Sequence, residues 1–240
     1  MGYINLADTR TRIYVQTGMD NSPASAAQSA QLLSQILDVP TGYLNNATEG
    51  LTGDVGEYLP KHLTLKDALN EYTYRTLNAR GPVLILTHSA GNEDARKALQ
   101  VGALYGHQYP NLSFLSLASP VGAKAWQQAT QQGGAGFVGQ AKDWRDPVTY
   151  SKTAVGVMLG SFLGGIGYGA VQGCTSGAGG GVPGCIAFGV AGGVVGGVPG
   201  VAGALGIRIY HPFSSYVAKP QVQDMVRDWM AKHPEAPGKP

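Results

Sequence analysis

Between Thr11 and Thr149, short apolar runs alternate with longer stretches of helical periodicity. Arg12 to Gln16 reads as a strand that ends at Thr17-Gly18. Pro23 to Leu37 reads as a helix, with Ser22 as N-cap and Pro23 at the first helical position. Its apolar residues Ala27, Leu32, Leu33 and Ile36 fall near one face. Thr41 to Leu44 is a short strand, and Leu65 to Ala79 a helix with Thr64 as N-cap and Asp67 in its first turn. Pro82 to Leu86 is an unbroken apolar run, the pattern of a strand covered on both faces. Asn92 to Leu104 is helical, Leu112 to Leu117 a strand, Ala123 to Gln132 a helix, Phe137 to Ala141 a strand and Pro220 to Lys232 the last helix. Strands that alternate with helices of this length need crossover connections, so the expected fold is a three-layer α/β sandwich with a mostly parallel sheet.

One segment breaks this rhythm. Residues 153–207 carry no charge, and 20 of these 55 residues are glycine. Two apolar stretches, Thr153 to Gly173 and Ile186 to Ile207, flank a Gly-rich centre from Cys174 to Cys185. Each flank has about the ~20 residues that cross a bilayer as a helix. Small residues at Gly156 and Gly160, and at Gly189, Gly193 and Gly197, would let two helices approach closely. The expected organisation is a catalytic domain from 1–152 and 208–240, interrupted by a Gly-rich apolar helical hairpin at 153–207. That hairpin enters or touches membrane; the alternative is a mobile apolar lid or a buried helix pair.

Composition narrows the function further. Charged residues make up 13% of the chain against a usual ~25%, and the shortfall lies largely in the apolar segment. A net charge of +2 from scattered Lys and Arg argues against a nucleic-acid binder. Two cysteines, Cys174 and Cys185, without a His-rich tract are too few for a zinc site, and no metal or cofactor is expected. One disulfide and two inert thiols both remain open. Met1 to Arg12 lacks the apolar core of a signal peptide, so the expectation is a cytoplasmic protein or export by a route that reads no N-terminal signal. Residues 233–240 are expected to fray.

The strongest chemical signal is Leu84-Ile-Leu-Thr-His-Ser-Ala-Gly-Asn92. A buried strand runs into Ser89, flanked by small residues, and a helix follows at once. A nucleophile elbow requires this context, because its turn is sharp and strained. At a helix N-terminus Ser89 would sit in a field that favours an oxyanion. The ordinary alternative is a serine that caps the helix. A serine hydroxyl needs a base, and the base an orienting acid, in the chain order Ser, Asp or Glu, His. Of the histidines after Ser89, His107 comes too early and His233 sits in the tail, which leaves His211, between Ile207–Tyr210 and the last helix. For the acid, Asp146 follows a predicted strand and precedes Pro147, which holds it extended; Asp143 is the second candidate. The oxyanion hole is expected from the backbone N–H groups of Ala90 and Met19, the latter next to Gly18 after the first strand. Sequences diagnostic of zinc proteases and phosphate loops are missing.

Thr87-His-Ser-Ala-Gly-Asn92, Ser116 to Gly122, Asp146-Pro-Val148 and His211 with Tyr216 together resemble α/β-hydrolase lipases. More narrowly, with Tyr14 to Asn21 and Leu44 to Gly50, they resemble the lipase-type domains at the C-termini of bacterial polymorphic toxins and type VI secretion effectors. The resemblance spans roughly residues 12–232; Thr87 stands where that family has glycine. It implies an α/β-hydrolase fold and ester hydrolysis of membrane lipids, as by a phospholipase. It also implies synthesis in a bacterial cytoplasm and action at the membrane or periplasm of a rival cell, with a cognate immunity protein and a secretion chaperone for the apolar hairpin as partners. Two other functions remain open on the residues alone. One is a membrane-perturbing toxin whose hairpin is the active agent. The other is a soluble carboxylesterase or acyltransferase with an apolar lid.

Overall fold

Strand β3, Val83–His88, is buried along its whole length, as its apolar run requires, and becomes the centre of the sheet. The computed structural model describes residues 11–18, 23–44, 65–143, 146 and 212–234. Within them β1 (Ile13–Gln16), β2 (Thr41–Leu44), β3, β4 (Leu112–Leu117) and β5 (Gly136–Ala141) form one sheet in the order β2-β1-β3-β4-β5. All four pairings are parallel. The helices are α1 (Pro23–Leu37), α2 (Leu65–Asn78), α3 (Gly91–Leu104), α4 (Ala123–Gln132), α5 (Phe213–Val217) and α6 (Pro220–Lys232). The elements expected within these residues therefore stand at or within two residues of their predicted ends, and α5 is the addition that periodicity did not reveal.

Successive residues of a strand face opposite ways, and here each face has its own helical cover. Ile13, Val15, Leu84, Leu86, Leu115 and Leu117 pack with Leu33 of α1, Phe213, Tyr216 and Val217 of α5, and Val226 and Trp229 of α6. Tyr14, Val83, Ile85, Leu112 and Phe114 pack with Tyr74 and Leu77 of α2, Leu99 of α3 and Trp126 of α4. Trp126 stacks on Phe137 of β5 at 6.0 Å and tilts over Phe114 at 5.6 Å. The fold is thus α/β in three layers, helices on both faces of a parallel sheet.

The chain leaves β1 outwards to β2, then returns past β1 to β3 and continues the other way. The carboxyl ends of β1 and β3 accordingly flank a topological switch point, where open parallel sheets bind their ligands. Chain packing divides the molecule into two compact units, 1–143 with 212–240, and 144–211. The sheet belongs to the first; of the second only Asp146 is described, and it is fully buried. Residues 153–207, with Cys174 and Cys185, lie outside the described residues. Among the described residues no helix is long and apolar enough to cross a membrane.

The two-faced core makes a direct prediction. Phe114 is fully buried between α2 and α4, so Phe114→Ala should lower unfolding free energy by about 3–5 kcal/mol. Leu104, at the exposed end of α3, should change it by less than about 0.5 kcal/mol when replaced by Ala. Urea titrations of the two variants check this; equal midpoints would contradict the described core.

Candidate active site

Between the end of β3 at His88 and the start of α3 at Gly91 only Ser89 and Ala90 are left to turn the chain. Ser89 does so at φ 58°, in the left-handed region that a residue with a Cβ seldom adopts. Such a conformation costs on the order of 1–3 kcal/mol and persists only where the surroundings enforce it. The helix N-cap position is held by Ala90, at φ −59° and ψ −28°, whose methyl side chain makes no cap hydrogen bond. Ser89 stands at the apex of a strained strand-to-helix turn.

Two glycines let this turn close. A Cβ on Gly91 would stand 2.5 Å from the Gln16 carbonyl oxygen at the end of β1. A Cβ on Gly18 would stand 2.5 Å from both the Ala90 Cβ and the Gly91 nitrogen. The backbone after β1 thus runs in contact with the backbone of the turn. None of the hydrogen bonds among the described residues uses the Ala90 N–H, which stands at the positive end of α3.

Beneath the turn lies a buried polar network. The Thr87 and Ser116 hydroxyls donate to Asn92 Oδ1 at 2.8 and 2.7 Å. Asn92 Nδ2 donates to the Ser89 and Leu117 carbonyls, each at 2.9 Å. Thr87 is fully buried, with its hydroxyl engaged here. Thr17 Oγ1 and Gln16 Nε2, at the end of β1, are buried with no hydrogen bond among the described residues. Tyr74 donates its phenol proton to Gln16 Oε1. Burial, and then the charge of Asp94, push that phenol well above its ordinary pKa, so it stays a neutral donor.

On the opposite face, the His88 ring meets Phe213 edge-on at 5.7 Å and Tyr216 at 5.9 Å. Lys219 reaches over the Tyr216 ring at 4.3 Å and pairs with Asp143 Oδ2 at 3.0 Å. Asp143, the second candidate for the acid, is thus held by a cation. His107 lies at the far end of α3, about 20 Å along the helix from the turn, with Nδ1 2.7 Å from Glu71 Oε1. His233 stacks on Trp229 of its own helix at 4.5 Å. The structure therefore brings Ser89, Ala90 and Gly18 together. Asp146 is buried in the second unit, and Met19 and His211 lie outside the described residues. Periodicity could not reveal Asn92, whose partners come from β3, the turn and β4. A hint was present in polar Thr87 and Ser116 within otherwise apolar strands.

No protein-family model, no curated protein and no solved structure matches the chain.

Because the obstructing atoms at Gly18 and Gly91 are largely backbone, neither site can accept a methyl by moving a flexible side chain. Gly91→Ala and Gly18→Ala should each destabilise by about 1–3 kcal/mol. Gly122→Ala meets nothing within 4 Å and should be near neutral. Denaturant melts of the three variants provide the check, and an unshifted Gly91→Ala would refute the close approach of β1 to the turn.

Proposed function

We propose that this protein is a serine ester hydrolase of the α/β-hydrolase type, acting on membrane lipids. Ser89 is its nucleophile, His211 its general base and Asp146 the acid that orients the base. The observation that carries the proposal is the left-handed backbone of Ser89 between a buried central strand and a helix N-terminus. A strained turn of this kind presents a hydroxyl at the top of a sheet. It lies at the switch point of the β2-β1-β3-β4-β5 order, where ligand sites form.

Two observations support His211 as the base. His107 and His233 are engaged elsewhere, and His88 packs into the opposite face of the sheet. Phe213, two residues after His211, packs against His88, the residue before Ser89. Asp146 supports the acid assignment by being buried, since a buried carboxylate needs partners.

In the proposed reaction the Ser89 hydroxyl oxygen attacks the ester carbonyl carbon while its proton passes to His211. The Ala90 N–H, with Met19 as the second donor, receives the developing oxyanion. The C–O bond to the alcohol then breaks, and the alcohol leaves with the proton from His211. Water attacks the acyl-serine, again giving its proton to His211, and the carboxylic acid departs as Ser89 recovers its hydrogen. The lipid assignment rests on the uncharged segment 153–207 and on the resemblance to toxin lipase domains. It carries with it a rival cell's membrane as the target and an immunity protein in the producer.

Ser89→Ala, Asp146→Ala and His211→Ala should each reduce ester turnover by roughly 10³-fold or more, because the three act as a unit. Turnover is read on a chromogenic ester with folding followed by circular dichroism; a folded His211→Ala of normal activity would exclude that base. Lipid mass spectrometry should show lysophospholipid or free fatty acid with wild type and neither with Ser89→Ala. Deleting 153–207 behind a short linker should lower the ratio of liposome to soluble-ester hydrolysis. An unchanged ratio would remove the membrane role from that segment.

A further inference from the structure

We propose that Asn92 is the positioning residue of the site: its carboxamide fixes the Ser89–Ala90 peptide plane and so aims the Ala90 N–H at the oxyanion. This inference rests on Ser89 being the nucleophile. A peptide unit is planar and trans, so its C=O and N–H point in opposite directions. The carbonyl of the Ser89–Ala90 unit belongs to Ser89 and its N–H to Ala90. Asn92 Nδ2 holds that carbonyl at 2.9 Å, inside the protein, beside the Asn92 backbone N–H at 3.1 Å. Rotation of the plane would break both bonds and swing the Ala90 N–H out of position, and the shorter of the two is the one the side chain supplies.

The grip is specific in its chemistry. A carboxamide offers two acceptor lone pairs and two donor hydrogens. Asn92 uses all four, accepting from Thr87 and Ser116 and donating to the Ser89 and Leu117 carbonyls. Two hydroxyls on one side and two carbonyls on the other leave the amide a single satisfied orientation. Asn92, Thr87 and Ser116 are fully buried, so no water substitutes for a lost partner.

The same amide secures a second strained turn. β4 leaves the sheet through Ala118 at φ 47°, beside Ser89 at φ 58°. His88 pairs with Leu117 in the ladder, and the Ser89 N–H donates to the Leu117 carbonyl at 3.3 Å. Asn92 Nδ2 thus binds the carbonyl of one left-handed residue and the carbonyl just before the other. Support extends across the sheet, because Gln16, Thr87, Ser116 and Gln140 occupy one register row of β1, β3, β4 and β5. Gln140 Nε2 donates to Ser116 Oγ at 3.0 Å and to the Val121 carbonyl at 2.8 Å, in the loop that follows Ala118. Thr87 belongs to this row, which gives a physical reason for threonine at the first position of the elbow.

The test uses Asn92→Asp and Asn92→Ala in the full chain, with Leu99→Ala in the core of α3 as a control for lost stability. Aspartate has the size of asparagine and keeps the acceptor for Thr87 and Ser116, but its carboxylate cannot donate to the two carbonyls. Both Asn92 variants should lose about a hundredfold in kcat with KM within threefold, as when one oxyanion donor is removed. Their affinity for an alkyl boronic acid, which forms a tetrahedral adduct, should fall in parallel. Hydrogen exchange at the Ser89 and Ala118 amides should rise in both and stay at the wild-type level in Leu99→Ala. Thr87→Ser should keep wild-type kcat, because the hydroxyl remains. Near-normal kcat in Asn92→Asp, or a loss of kcat in Leu99→Ala matched to its fall in melting temperature, would overturn the positioning role. Wild type that hydrolyses no ester and takes no fluorophosphonate on Ser89 would overturn the hydrolase reading instead. The exchange rates of Asn92→Asp would then decide by themselves whether the amide holds the two turns.

Discussion

The left-handed backbone of Ser89 is the constraint around which the rest of the site is arranged. An L-residue resists φ 58°, so the turn exists only because several contacts require it. β3 enters with every residue buried, and its last residues are registered against β4. α3 must start at once because Gly91 lies against the Gln16 carbonyl. The Ser89 N–H is tied to Leu117 and the Ser89 carbonyl to Asn92. With the peptide groups on both sides held, the strain has no local route to relax.

The layers of the fold carry that constraint outwards. A central parallel strand is covered on both faces, and its end is shielded from bulk water on two sides. One face is closed by aromatic contacts, where Phe213 and Tyr216 meet His88. The other is apolar through Val83 and Ile85, then turns polar at Thr87, in the row that crosses to Gln140. Buried polar groups are costly unless they satisfy one another, and Asn92, Thr87 and Ser116 do so, with half-buried Gln140 joined to Ser116. A serine turn placed on wholly apolar layers would lack donors for its carbonyls. This one has them supplied from the sheet and from α3.

The elements themselves were legible in the residues. The unbroken run at 82–86, the amphipathic spacing of 23–37 and the small residues after Ser89 carry local physics that does not depend on distant partners. Helix α5 was not legible, since Phe213–Val217 is too short to show a period and is held by packing against His88 and α1. His107 and His233 were set aside on chain order alone; the structure gives each a partner, Glu71 for one and Trp229 for the other. Glycine at 91 was expected from the need for a small residue, whereas the obstructing Gln16 carbonyl lies 75 residues away in the chain.

By itself, then, the sequence determined an α/β chain, the place of a strand covered on both faces and a serine, Ser89, at which that strand passes directly into helix. Those follow from short-range sterics and from the periodicity of burial, which neighbouring residues encode. Only the tertiary structure decided the strand order β2-β1-β3-β4-β5, the switch point beside Ser89 and the use of Asn92 as the joint between two turns. These depend on groups far apart in the chain. Asn92 lies 25 residues from Leu117, and a hydrogen bond at that separation has no local signature until the sheet has brought its ends together.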